Sequence, residues 1–174
     1  MPKTSAGLLL FRESNDGLEV LLAHPGGPYW AKKDDGAWTI PKGELEDGED
    51  SLQAARREFE EELGQPIEGE FIPLGEITQA GGKRVMAWAV RANFDPAALR
   101  SNVFTIEWPP KSGRQQEFPE VDRVGWFDLA TARRKILPGQ LPLLERLTSA
   151  GTLNRDSHGG HSRCPELRQI LRSS

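Results

Sequence analysis

The sequence predicts a mixed α/β (α+β) domain, and three observations carry the prediction. Short runs of Leu, Val, Ile and aromatic residues recur along the first three quarters of the chain with turn residues between them, the pattern of strands. One central stretch, Ser51 to Leu63, spaces its apolar residues at helical intervals, and two shorter helical patterns follow after residue 128. The 174 residues are 37% hydrophobic and 28% charged, which suffices for the core of one domain, placed at residues 1–150.

Thr4 to Arg12 reads as a strand, its run Leu8, Leu9, Leu10, Phe11 buried on both sides. Asn15-Asp16-Gly17 is a turn and Leu18 to Ala23 the returning strand, so the two form a hairpin at the centre of a sheet. His24 to Gly36 reads as a loop because Pro25, Gly26, Gly27 and Pro28 forbid regular pairing; His24, with no second histidine nearby, is weighed as a ligand or catalytic group. The loop sets Tyr29 and Trp30 beside Lys32 and Lys33, an aromatic pair and cations able to clamp a base and a polyphosphate, or simply to pack on the sheet. Ala37 to Ile40 reads as a short strand leading into the turn Pro41-Lys42-Gly43.

Two strands are expected at Glu70 to Ile77 and Arg84 to Ala92, then a helical turn at Asp95 to Leu99. Phe104 to Trp108 is strand-like, and Pro109, Pro110 and Gly113 predict a long loop up to Phe118 that carries Lys111, Arg114, Glu117 and, just beyond, Glu120. Val121 to Phe127 is a further strand, Asp128 or Thr131 caps a helix to Ile136, and Gln140 to Ser149 is a last helix with Leu141, Leu144 and Leu147 inward. Residues 151–174 turn polar and read as a flexible tail; His158, His161 and Cys164 there are a weak candidate metal cluster.

The single cysteine excludes an intrachain disulfide and suits a reducing compartment. No signal-peptide core and no apolar run of membrane-spanning length is present, so a cytoplasmic protein without a membrane partner is expected. Net charge is −4, yet residues 43–65 alone hold nine carboxylates and two arginines. The remainder is therefore mildly basic, a balance that suits a metal and an anionic small molecule better than a stable nucleic-acid partner. No feature specifies an oligomeric state.

That acidic stretch contains the main helix. Asp50 followed by Gln53 resembles a capping box, and Gly64 and Pro66 stop the helix. At about 100° per residue Glu58, Glu61 and Glu62 share one face, while Leu52, Phe59 and Leu63 share a neighbouring face that can be buried. Ser51, Ala54 and Ala55 border the acidic face and are small enough to admit a ligand. Crowded carboxylates repel one another, and a hard divalent cation such as Mg²⁺ would relieve that repulsion. The alternating Asp/Asn ligands of a calcium-binding EF-hand loop are missing.

Gly43, Glu49, Arg57, Glu58, Glu61, Glu62 and Gly64 stand at the spacing of the Nudix box, seven identities over 22 positions, and the chain resembles the Nudix hydrolase family. Within it, the chain is similar to small bacterial proteins predicted to be NTP pyrophosphohydrolases. Gln65 departs from the family's aliphatic preference, and Ile67 is expected to take over its packing. The resemblance implies an α/β/α sandwich with a mixed sheet, the box forming a loop-helix-loop unit. It implies Mg²⁺ or Mn²⁺ held by Glu58, Glu61, Glu62 and the Gly43 carbonyl, with Arg57 and Glu49 paired to orient the helix. It leaves the general base open between Glu58 and a distal carboxylate, Glu117 or Glu120. It implies hydrolysis of a nucleoside diphosphate derivative, a small-molecule nucleotide, with Lys42, Arg84 and Arg114 joining the aromatic loop as substrate contacts. The proline and tyrosine that mark subgroups selective for ADP-ribose or dinucleoside polyphosphates are absent from Ala80 to Lys83. A non-catalytic, nucleotide-binding regulator is the alternative, weakened by the intact set of box carboxylates.

Overall fold

The computed structural model describes residues 3–15 and 17–150; the tail, with His158, His161 and Cys164, lies outside the described residues. Strand β1 (Thr4–Ser14) is apolar on both faces because it lies at the centre of the sheet. It turns into β2 (Gly17–Pro25), antiparallel, with Phe11 opposite Val20. The other edge of β1 runs parallel to β5 (Arg84–Arg91), which pairs antiparallel with β4 (Phe71–Thr78). β8 (Val121–Asp128) closes the far side against β2, with an irregularity at His24/Pro25.

A short strand β3 (Lys42–Glu44) pairs with β1 at Ser5, Ala6 and Gly7. Since β5 occupies one edge of β1 along residues 4–11, β2 and β3 must share the opposite edge, β2 at residues 11–14 and β3 at residues 5–7. The mixed sheet therefore forks, and the candidate site lies in the fork.

Helix α1 (Ser51–Leu63) begins where Asp50 accepts from the Leu52 and Gln53 amides. It ends at Gly64, whose φ of 92° is the left-handed conformation a helix stop favours. Ala54, Ala55, Phe59 and Leu63 are fully buried against Ala6, Leu8, Leu10 and Val90 on one face of the sheet. The alanines thus belong to the core rather than bordering a ligand: their small side chains let the helix approach β1 closely. Leu52 is only half-buried, whereas Ile67 joins the Phe59 and Leu63 cluster and Gln65 is exposed. On the opposite face, Leu9, Phe11, Leu22, Trp38 and Ile40 pack against α2 (Leu129–Lys135) and α3 (Leu141–Ser149) through Ala132, Leu143, Leu144 and Leu147. Asp128 caps α2 by accepting from the Thr131 amide.

Three expectations change. Residues 37–40 make no strand; Thr39 bridges Ala23 and Trp38 bridges Ile136 as isolated pairs, tying the fork to the end of α2. The segment after Pro110 is not all loop: β7 (Gln115–Pro119) pairs with β6 (Val103–Glu107) in a separate hairpin. Its QQE sequence lacks apolar alternation because β7 is mostly exposed, so pairing rather than burial makes it a strand. His24 lies within β2, which ends at Pro25, rather than opening a loop. Among the described residues no helix is long and apolar enough to cross a membrane.

Candidate active site

The box residues are organised by one guanidinium. Arg57 donates from Nε and Nη2 to the two carboxylate oxygens of Glu49, at 2.8 and 2.9 Å. Its Nη1 donates to Glu58 at 2.9 Å and to Glu61 at 2.8 Å, and Nη2 also reaches the Glu44 carbonyl at 3.2 Å. The cation sits at the junction of loop and helix because Arg57 lies in the second turn of α1, and the Glu46–Glu49 turn folds back beneath it. Arg57 holds the Glu49 carboxyl down at about 2, helped by the Glu46 amide.

Glu62 faces the other way. It accepts from the Lys42 amide at 3.2 Å, and burial with the nearby charges of Glu58 and Glu120 pushes its carboxyl up to about 8. Burial also raises the Glu58 carboxyl, against the pull of Arg57. Lys42 is shifted down, first by burial, in spite of Glu62, with Lys83 adding to the shift. A Cβ on Gly43 would stand inside the Glu58 carboxylate, so only glycine lets the Glu58 side chain lie against β3 here.

A cleft of about 230 Å³ opens in the fork of the sheet, lined by Trp30, Thr39, Ile40, Lys42, Glu62 and Glu120 among others. Its floor is fixed by Gln140, fully buried, whose side chain accepts from the Ile40 amide and donates to Thr39 Oγ1 and Gln79 Oε1. The Gly26 amide donates to the Glu120 carbonyl at 2.9 Å, locking the start of the aromatic loop to the start of β8.

The expected site residues divide into groups. Trp30, Lys42, Glu62 and Glu120 share the cleft, and Glu58 approaches it from Gly43. Arg57, Glu49, Glu58 and Glu61 form the adjoining ionic cluster. The Lys33 ammonium lies 5.0 Å over the Trp30 ring, while Lys32 is exposed. Tyr29 is 60% exposed and meets Trp108 of the hairpin edge-on at 5.2 Å, a partner with no signal in the sequence. Glu117 sits on β7 opposite Thr105, Arg114 at the hairpin end and Arg84 at the start of β5 opposite Thr4; all three are exposed and none lines the cleft. His24 is fully buried with both ring nitrogens engaged. Gln140 and Asp122, too, carry no motif that distinguishes them.

A family model for the NUDIX domain matches residues 1–147. The chain belongs to the Nudix family. Its curated relatives include an 8-oxo-(d)GTP phosphatase of Mycolicibacterium smegmatis, 29% identical over 135 residues, which cover 69% of this Nudix chain and 39% of the relative. The Nudix chain therefore spans about two fifths of that relative's length. Among solved structures it is similar to a C. elegans Ap4A hydrolase in a binary complex, with 25% identity, a TM-score of 0.56, and coverage of 84% of this chain and 96% of that one. A mutT/nudix family protein from Listeria innocua shares the fold at a TM-score of 0.58 and 21% identity, covering 87% of this chain and 96% of that one.

The carboxylates suit a hard cation by chemistry, since burial and the charges of neighbouring carboxylates hold both Glu58 and Glu62 away from their charged form. They are not gathered for one: among the described residues no three Asp, Glu, His or Cys side chains stand at metal-holding geometry. The reason is visible in the ionic cluster, where one Arg57 nitrogen takes both Glu58 and Glu61 while Glu62 turns to the Lys42 amide.

Proposed function

We propose that this Nudix chain is a metal-dependent pyrophosphohydrolase of the cytoplasm, its catalytic unit at residues 1–150. In this reading it cleaves a phosphoanhydride bond in a nucleoside polyphosphate or another nucleoside diphosphate derivative. The observation that carries the reading is the meeting of Lys42, Glu62, Glu120 and Trp30 in one cleft beside the box helix.

Glu58, Glu61, Glu62 and the Gly43 carbonyl would hold Mg²⁺ or Mn²⁺. Such an ion, when bound, polarises a phosphoryl oxygen and lowers the pKa of a coordinated water. Lys42 offers a cation to the phosphate chain, and Trp30 a ring for the base. Glu120 accepts the proton of the attacking water, because it lines the cleft and Glu117 does not. Arg57 and Glu49 hold the loop against the helix so that the carboxylates meet the phosphates from one side. The nucleoside polyphosphate class is supported by the 8-oxo-(d)GTP phosphatase of Mycolicibacterium smegmatis and the Ap4A hydrolase of C. elegans to which the chain is similar.

The test is a screen of nucleoside triphosphates, oxidised guanine nucleotides, dinucleoside polyphosphates, nucleotide sugars and ADP-ribose, with product identification. The expected result is turnover that needs Mg²⁺ or Mn²⁺ and is lost in Glu62→Gln. Tight binding of a nucleotide without turnover of any of them would favour the regulatory reading.

A further inference from the structure

His24 has no part in the chemistry just described, yet it is fully buried and both its ring nitrogens face acceptors. Nε2 lies 2.6 Å from the Lys33 carbonyl and Nδ1 lies 2.9 Å from Asp122 Oδ1. A carbonyl can only accept, so Nε2 carries a proton. The ring therefore donates to the Lys33 carbonyl through Nε2 and is hydrogen-bonded to the Asp122 carboxyl through Nδ1. Arg123 reaches the same Asp122 oxygen at 3.6 Å, beyond hydrogen-bond distance, and so leaves the shorter contact to His24. Trp38 packs edge-on against the His24 ring at 5.1 Å, and its indole donates to Asp34, which also takes the Lys135 ammonium.

The two acceptors belong to different walls of the cleft. Lys33 closes the turn that begins at Trp30, its amide donating to the Trp30 carbonyl at 2.9 Å. Asp122 lies on β8 two residues past Glu120. We propose that His24 is a positioning residue: buried and bonded through both ring nitrogens, it ties the Trp30 turn to the Glu120 end of β8 and so sets the distance across which a nucleotide is held. The inference rests on reading the cleft as the nucleotide site. The His24 side chain itself touches neither cleft nor substrate; it acts by denying the 26–36 loop the freedom to move away from β8, so its removal weakens binding rather than the chemical step.

Three measurements on the full chain test it. In the wild type, NMR of the His24 ring should show its Nε2 proton protected from solvent exchange by the bond to the Lys33 carbonyl. In His24→Phe, which keeps an aromatic ring but no donor or acceptor, KM should rise about tenfold with kcat within about twofold, the loss of two hydrogen bonds falling on binding. In the same variant, hydrogen exchange at the Trp30, Lys33 and Ala37 amides should accelerate while that of β1 does not. Should His24→Phe fail to fold, Asp122→Ala, at a partly exposed position, carries the test: exchange at the Trp30 and Lys33 amides should accelerate and KM should rise about threefold. An unprotected His24 Nε2 proton in the wild type overturns the proposal, as does a variant with unchanged KM and unchanged loop exchange, or one that loses kcat at constant KM. The ring signature and the exchange rates need no turnover. If no nucleotide is hydrolysed, nucleotide affinity measured by calorimetry replaces KM, and the activity reading fails separately from this one.

Discussion

Arg57 grips Glu49 with two nitrogens and leaves only the third for Glu58 and Glu61. The two-nitrogen grip is geometric as well as electrostatic, since the planar fork matches the carboxylate. The third nitrogen is the replaceable one: a cation arriving between Glu58 and Glu61 would displace Nη1 without disturbing the Glu49 pair. Arg57→Lys keeps the charge and loses the fork. Its kcat/KM should fall about ten- to hundredfold, with circular dichroism unchanged, and Glu49→Gln should behave alike.

Glu62 links pH to stability. Its carboxyl stands at about 8 in the folded chain against an ordinary value of 4.5, so the folded state keeps a proton that the unfolded chain has released. The stabilising contribution is therefore fully present below the ordinary value and is lost as pH rises through about 8. The metal-free protein should show a Tm that falls between about pH 4.5 and about pH 8 and levels off above that, and Glu62→Gln should flatten that slope. Added Mg²⁺ should raise Tm more at the alkaline end, where no proton competes for the site. Scanning calorimetry across this range, with and without chelator, provides the check.

Gly43→Ala should separate folding from function. The added methyl would stand in the Glu58 carboxylate, forcing that side chain away from β3. The helix can tolerate the displacement because Glu58 is not part of its buried stripe. Activity should drop about a hundredfold or more while Tm changes little, as measured by steady-state kinetics and thermal melts of the same preparation.

Glu120 and Glu117 differ by three positions and by the strands they serve. Glu120 lines the cleft, whereas Glu117 faces solvent on β7. Glu120→Gln should lower kcat by about a hundredfold; Glu117→Gln should stay within about twofold of wild type. Equal losses in both would place the base elsewhere.

Much of the architecture is local and therefore legible in the sequence. Asp50 and Gly64 mark the ends of α1 within the stretch they terminate, and the run Leu8 to Phe11 can only be a strand buried on both faces. The ionic cluster is nearly as local, since Glu49, Arg57, Glu58 and Glu61 follow one another within a loop and a turn of helix. What stays hidden depends on distant partners. β3 is a strand because β1 leaves it an edge, and β7 because β6 lies beside it; neither has a pattern of its own. The choice of Glu120 over Glu117 follows from where β8 starts, and the meeting of Tyr29 with Trp108 depends on the hairpin folding back over the loop. His24, Asp122 and Gln140 are ordinary residues until tertiary structure buries them among acceptors and donors.

The fork in the sheet has a consequence for how such a molecule can diversify. β3 supplies one side of the opening through Lys42, from backbone paired to the central strand, while the 26–36 turn supplies the other through Trp30; that turn, and the β6–β7 hairpin that meets it through Tyr29 and Trp108, contribute nothing to either core. Grafting a different turn or hairpin therefore leaves the interior intact. Retargeting becomes a matter of exchanging surface parts on an unchanged frame, and those two segments are where a library of variants should be built.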